Sequence, residues 1–193
     1  ELAAARLRLF SPEALVPRLE HSLKLLTGGA RELPERQRTL RGAMAWSYDL
    51  LTIGERALFR WLSVFSGTFP LEAVEEVCAG LPDRHQDFEI LDGLTALVEH
   101  SLVRAAPDTG RFEMLVTLRE YAAEQLAAEG EMAAARAAFV AWGRNLLESV
   151  APHLDSAAAG PWMAKLNGDW DNVRSVLQFV AQGLRKAAYR ELG

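Results

Sequence analysis

Cysteine is nearly missing from this chain: Cys78 stands alone in 193 residues, so no intrachain disulfide can form and nothing points to an oxidising compartment. No apolar run is long enough to span a bilayer, and no basic-then-apolar leader opens the sequence. A cytoplasmic protein is the expectation. The Gly-x-x-x-x-Gly-Lys-Ser/Thr pattern that cradles nucleotide phosphates is also missing, so the chain itself is not expected to hydrolyse ATP. His21, His85, His100 and His153 lie far apart without paired ligand spacing, which argues against a zinc site. Asp169 and Asp171 are two residues apart, so on a helix they point in different directions and read as capping groups rather than catalytic carboxylates. Cys78 falls on an apolar helix face and reads as a small core residue. No catalytic residue, cofactor site or metal site is therefore assigned.

Basic residues are scarce in the middle of the chain. Residues 61–101 hold one Lys/Arg, Arg84, against eight Asp/Glu, whereas residues 1–60 hold ten against seven. Half of the chain is apolar and 24% charged, ordinary for a folded protein, and the length allows one large domain or two small ones. The opening Glu1–Arg6 is a strong helix former with no cap before it and reads as an internal piece of a longer protein.

Helical signals dominate. Ser11-Pro12-Glu13 is a cap, a first-turn proline and a first-turn acid, opening a helix with Leu15, Leu19 and Leu23 that Gly28-Gly29 ends. A helix over 37–49 is expected to bury Leu40, Ala43, Met44 and Ser47, with Leu50 and Leu51 continuing the stripe. Thr52 and Glu55 make a capping box for a helix burying Leu58, Trp61, Leu62 and Phe65, with Gly67 as its stop. Pro70 opens a helix with Leu71, Val74 and Val77 inward, and Asp87 caps another carrying Phe88, Leu91, Leu94, Leu97 and Val98. The period then changes to two: strands over 101–104 and 111–115 flank the turn Pro107-Asp108-Thr109-Gly110. A second capping box, Thr117 with Glu120, opens a helix that Gly130 stops.

The expected fold is mainly α: a winged-helix domain with a two-stranded β-ribbon, flanked by helical segments. After Gly130 the sequence turns alanine-rich. Met132, Ala135, Phe139, Trp142, Leu146 and Val150 define a long amphipathic helix ended by Pro152. Residues 157–161 read as a break, and Trp162, Leu166, Val173, Leu177 and Val180 as a further helical pair. All five tryptophans read as packing residues.

Glu1–Arg6, Leu33–Arg41, Trp46–Leu51, Phe59–Phe69, Leu91–Leu102 and Phe112–Ala122 together resemble the region that follows the nucleotide-binding domain in bacterial STAND ATPases, the AfsR-like and LuxR-type relatives of the NB-ARC proteins. The resemblance runs from Glu1 to about Val180. It implies a helical segment closing the ATPase module (1–35), a winged helix (36–130) and the start of a TPR-like array (131–193). It also implies that ATP or ADP sits in an upstream domain, and that the chain passes nucleotide and ligand state to an output domain by docking against its own ATPase and sensor domains. One motif departs. Met114 matches the family's Met-His-Asp, but Leu115 and Val116 replace the His and Asp and cannot hydrogen-bond a phosphate.

A winged helix invites a DNA-binding alternative. Duplex binding needs Lys/Arg, and the helix before the ribbon, over 87–100, offers Asp87, Glu89, Asp92 and Glu99 and no Lys or Arg. Direct DNA contact is not expected. The candidate partner-contacting residues are Arg36, Arg38 and Arg41 in the basic helix entry, and Trp162 and Trp170 in the C-terminal helices, through which a protein partner or a second copy could bind.

Overall fold

A computed structural model describes residues 40–82, 88–106, 108–155 and 159–191, with side chains through residue 183. The expected cap at Asp87, the helix around Leu15–Leu23 and the residues 157–158 of the expected break lie outside the described residues.

Helix α1 (Leu40–Asp49) buries Met44 and Tyr48, and Leu51 just beyond it continues that face. The expected stripe was rotated: Ala43 and Leu50 are exposed, because the ring of Tyr48 takes the inward position against Phe59 and Tyr121. Helix α2 (Ile53–Leu62) opens with the predicted capping box. Thr52 N donates to Glu55 Oε2 at 2.7 Å and Glu55 N to Thr52 Oγ1 at 3.4 Å. Leu58, Trp61, Leu62 and Phe65 are all buried as predicted. The helix ends at Leu62, five residues before Gly67, in short turns where Val64 N reaches Trp61 O and Phe65 N reaches Leu62 O. Gly67 serves packing instead: a Cβ there would stand 3.1 Å from Asp171 Cβ.

Strand β1 (Phe69–Pro70) leads into α3 (Leu71–Val77) and a 3₁₀ turn (Cys78–Gly80) that buries Cys78. Helix α4 (Ile90–Glu99) has Glu89 at its N-cap position without a side-chain cap bond, and buries Ile90, Leu94 and Leu97. Leu91, expected inward, is 53% exposed. The inward place is held by Phe88, whose ring lies against Gly54 of α2 and Gly93 of α4. A Cβ on Gly93 would come within 2.6 Å of Phe88 Cζ.

Strands β2 (Arg104–Ala106) and β3 (Arg111–Glu113) form the hairpin; β2 begins only at Arg104, where the strand predicted over 101–104 ends, and β3 stops two residues short of its predicted end. The expected two-stranded ribbon is in fact a three-stranded antiparallel sheet of order β1-β3-β2, because Phe69 pairs with Phe112 and Pro70 with Arg111. Pro70 is tolerated because β1 is an edge strand.

Helix α5 (Val116–Ala128) is capped at Leu115 without a side-chain bond, two residues before the predicted box. The chain leaves β3 in extended conformation only as far as Leu115, so Thr117 is already helical and cannot act as a cap. At the other end Gly130 has φ +73, Gly130 N donates to Ala127 O and Glu131 N to Leu126 O. This left-handed Schellman stop, as predicted for Gly130, delivers Glu131 to the start of α6 (Met132–Val150).

Helix α6 lies between α3 and α8. A 3₁₀ turn (Ala151–His153) ends it at Pro152, and α7 (Ala159–Gly168) and α8 (Trp170–Glu191) follow. Gly160 and Pro161 are in the first turn of α7 rather than in a break. On α8 the inward residues are Asn172, Val173, Ser175 and Val176, whereas Leu177 and Val180 are exposed. Phe139 carries the core across, with its ring 5.2 Å from Phe65, 5.4 Å from Trp142 and 6.2 Å from Phe179. Gly143 admits α8: a Cβ there would meet Val176 Cγ2 at 2.6 Å. One apolar cluster runs from Met44 to Val176. Among the described residues no helix is long and apolar enough to cross a membrane.

Candidate docking face and buried joints

The outward face of α4 carries Leu91, Asp92, Thr95 and Glu99, with Glu89 just before it. Thr95 Oγ1 donates to Leu91 O at 2.8 Å, so its hydroxyl is satisfied within the helix. Among the described residues from 61 to 103 there is no Lys or Arg. The hairpin adds little positive charge. Arg104 faces Glu113 across the ladder at 3.8 Å, and Arg111 turns inward.

Arg111 enters the first of two buried joints. Its Nη2 donates to Asp169 Oδ1 at 2.5 Å and to Thr68 O at 2.9 Å, and its Nε donates to Thr68 Oγ1 at 2.8 Å. Asp169 is 2% exposed. It stands at the predicted cap position before α8, where its carbonyl accepts from Val173 N, whereas Asp171, also expected to cap, lies within the first turn. Its carboxylate does something the sequence did not reveal. Asn172 completes the joint: Oδ1 accepts from Ser66 N and Gly67 N, and Nδ2 donates to Thr68 O. Arg119 Nη1 donates to Ser66 O at 2.7 Å. The partly buried backbone groups of the Ser66–Thr68 loop thus find their partners in β3, α5 and α8.

The second joint centres on Glu131. Arg60 Nε donates to Glu131 Oε2 at 3.1 Å, Arg60 Nη2 donates to Oε1, and Trp61 Nε1 donates to Oε2 at 3.0 Å. Arg60 Nη1 also donates to Tyr48 Oη at 3.0 Å. Burial alone would lower the Arg60 pKa, but the hydrogen bonds to Glu131 and Tyr48 outweigh it and hold the guanidinium above its ordinary value. The charge stays on, and α1, α2 and the α5–α6 turn meet at one ion pair.

The sequence-predicted contact residues are scattered by comparison. Arg36 and Arg38 lie outside the described residues. Arg41 pairs with Glu124 at 2.7 Å on the exposed α1–α5 seam and stands over the Tyr121 ring. That hydrogen bond raises its pKa. Trp162 is half-buried and stacks on His153 at 4.2 Å, while Trp170 is exposed at the start of α8. Trp46, expected to pack, is 52% exposed because Met44 and Tyr48 hold the inward face of α1. Met114 is buried, while Leu115 and Val116 are exposed where β3 gives way to α5. No sequence signal pairs the residues of either joint: Trp61 reads as core, Asp169 as a cap, Gly67 as a helix stop and Arg111 as a strand residue. The available signal was Arg60, a cation inside the apolar run Ala57–Leu62.

From α2 to β3 the order is helix, short strand, helix, helix and hairpin, with β3 central in the sheet. Residues 51–127 also match the family model described as a winged helix-turn-helix domain. That stretch is a winged helix-turn-helix domain. In it α3 and α4 are the helix-turn-helix pair, β2 and β3 the wing. The chain is similar to proteins of Mycobacterium tuberculosis and Mycobacterium bovis that are each named "Putative HTH-type transcriptional regulator", at 45% identity over 133 residues. The aligned part is 68% of this chain and 15% of those proteins. An uncharacterized protein of Mycobacterium tuberculosis is 34% identical over 133 residues, 68% of this chain and 34% of that protein. The chain therefore spans well under half the length of these relatives. No solved structure matches it.

Proposed function

We propose that the chain is a non-catalytic regulatory segment of a STAND-type transcriptional regulator, in which the winged helix-turn-helix domain couples an ATPase module to a helical, TPR-like sensor by docking against protein. The outer face of α4 carries this reading. A helix-turn-helix protein sets its second helix in the major groove, and here that helix presents Glu89, Leu91, Asp92 and Glu99 with no base on it. Phosphates would repel such a face, whereas a protein surface can meet it. The two joints support the mechanical side: through Glu131 and Asp169 the helices after Gly130 are tied to the winged domain, so movement of one carries the other.

In this reading 1–35 closes the ATPase module, 36–130 is the coupler and 131–193 begins the sensor, with ATP or ADP bound upstream of the chain. Arg36, Arg38, Arg41, Trp162 and Trp170 are its candidate contacts. The test is binding in trans. The separately expressed nucleotide-binding module should bind this chain with affinities differing by about tenfold between its ATP and ADP forms, a typical coupling between two sites. Equal affinities would contradict the switch.

A second reading, DNA binding by the same domain, is favoured by the helix-turn-helix match and by the name of the mycobacterial relatives. That name speaks for proteins of which the aligned segment is 15%, and the charge on α4 opposes it.

A further inference from the structure

Two surfaces of the chain are complementary to each other. Helices α6 and α8 line an open groove of about 510 Å³. Its apolar lining includes Ala137, Val140, Ala141, Phe179 and Val180, and Arg136 and Arg144 of α6 line it too. The small alanines let a helix approach closely. Arg136 stands over the Phe179 ring, and Arg144 has only a loose exposed pair with Glu148 at 3.8 Å. The groove is thus an apolar trough marked by two arginines eight residues apart, about 12 Å along the helix.

The outer face of α4 has the opposite character. Asp92 and Glu99 are seven residues apart, about 10 Å along the helix, and both are exposed with Leu91 beside them. The spacings agree within the reach of an arginine side chain, the charges are opposite, and each surface offers apolar area. Within one molecule the two cannot meet, because α4 packs on α2 while the groove lies between α6 and α8.

We propose that the α4 face of one copy of this chain docks into the α6–α8 groove of a second copy, with Asp92 and Glu99 against Arg136 and Arg144 and Leu91 toward the apolar lining. The contact joins two different patches, so it propagates head to tail rather than closing as a two-fold dimer. It rests on the reading that α4 meets protein, and it does not depend on the nucleotide switch.

Sedimentation velocity of the chain over a range of concentrations tests it. The weight-average mass should rise steadily with concentration and fall with added salt. Reversing the groove (R136E/R144E) or the helix (D92R/E99R) should each weaken association by about tenfold or more, since like charges then face each other. All four positions are exposed, and circular dichroism checks the fold of each variant. Mixing the two variants restores opposite charges at every contact and should restore assembly. A wild-type chain that stays monomeric, or variants that associate as well as it does, would overturn the proposal, as would a mixture that stays monomeric. Duplex DNA binding tests the underlying reading of α4 separately, so the two failures are distinguishable.

Discussion

Arg111 and Asp169, 58 residues apart in sequence, meet at 2.5 Å where the wing, the Ser66–Thr68 loop and the start of α8 converge. The pair withdraws the wing's inner cation from solvent and anchors the C-terminal helices. Removing Asp169 leaves the largely buried Arg111 charge without its counter-ion, held only by Thr68. D169A is expected to cost about 3 kcal/mol or more, read as a drop in the urea midpoint, whereas the double apolar replacement R111M/D169L should recover most of it. A D169A protein as stable as wild type would show that the joint holds nothing.

The Glu131 joint makes a parallel prediction with a different reporter. E131A strips partners from both Arg60 and the Trp61 indole, and should cost about 3–5 kcal/mol, the range for breaking a buried pair. Because Trp61 loses its hydrogen-bond acceptor, its fluorescence should shift in the native state as well. An unchanged midpoint would count against this joint.

Packing at Gly143 is tight enough to be tested by one methyl group. G143A places its Cβ against Val176 and should destabilise by about 1–3 kcal/mol, as overpacking does. G143A/V176A should be milder than the sum of the single changes, since the methyl group then has room. Additive effects would place the clash elsewhere.

Tyr121 sets a limit at high pH. Its pKa is raised above 10.0, by burial first and then by Asp49 and Tyr48. The folded state therefore holds the phenolic proton more tightly than the unfolded state. The associated stability is fully present below the ordinary tyrosine pKa and is lost as pH rises through the raised value. Y121F, which cannot ionise, should flatten the loss of stability above pH 10, followed by denaturant midpoints at successive pH values. An identical alkaline profile for both proteins would contradict this.

Much of this fold was legible because local signals act locally. The Thr52–Glu55 box, the Gly130 stop and the Pro152 helix end each depend on a few adjacent residues, and each stands where the sequence put it. Errors arose where distant packing chose the face. Leu91 yielded to Phe88 because Gly54 and Gly93 leave room for a ring, and the stripe of α1 rotated to bring Tyr48 onto Phe59. Strand β1 escaped notice because two residues carry no periodicity; it exists only through its pairing with β3. The joints were invisible for the same reason, since nothing near Asp169 in sequence announces Arg111.

The acidity of α4 was legible from composition alone, and the account rests on it. A fluorescence-anisotropy titration of mixed-sequence duplex DNA with this chain, repeated across salt concentrations, tests it most directly. The account predicts no binding that changes with salt. Binding that weakens steeply as salt rises, with a log–log slope of several units as expected for several phosphate contacts, would contradict it and return the winged domain to a DNA-reading role.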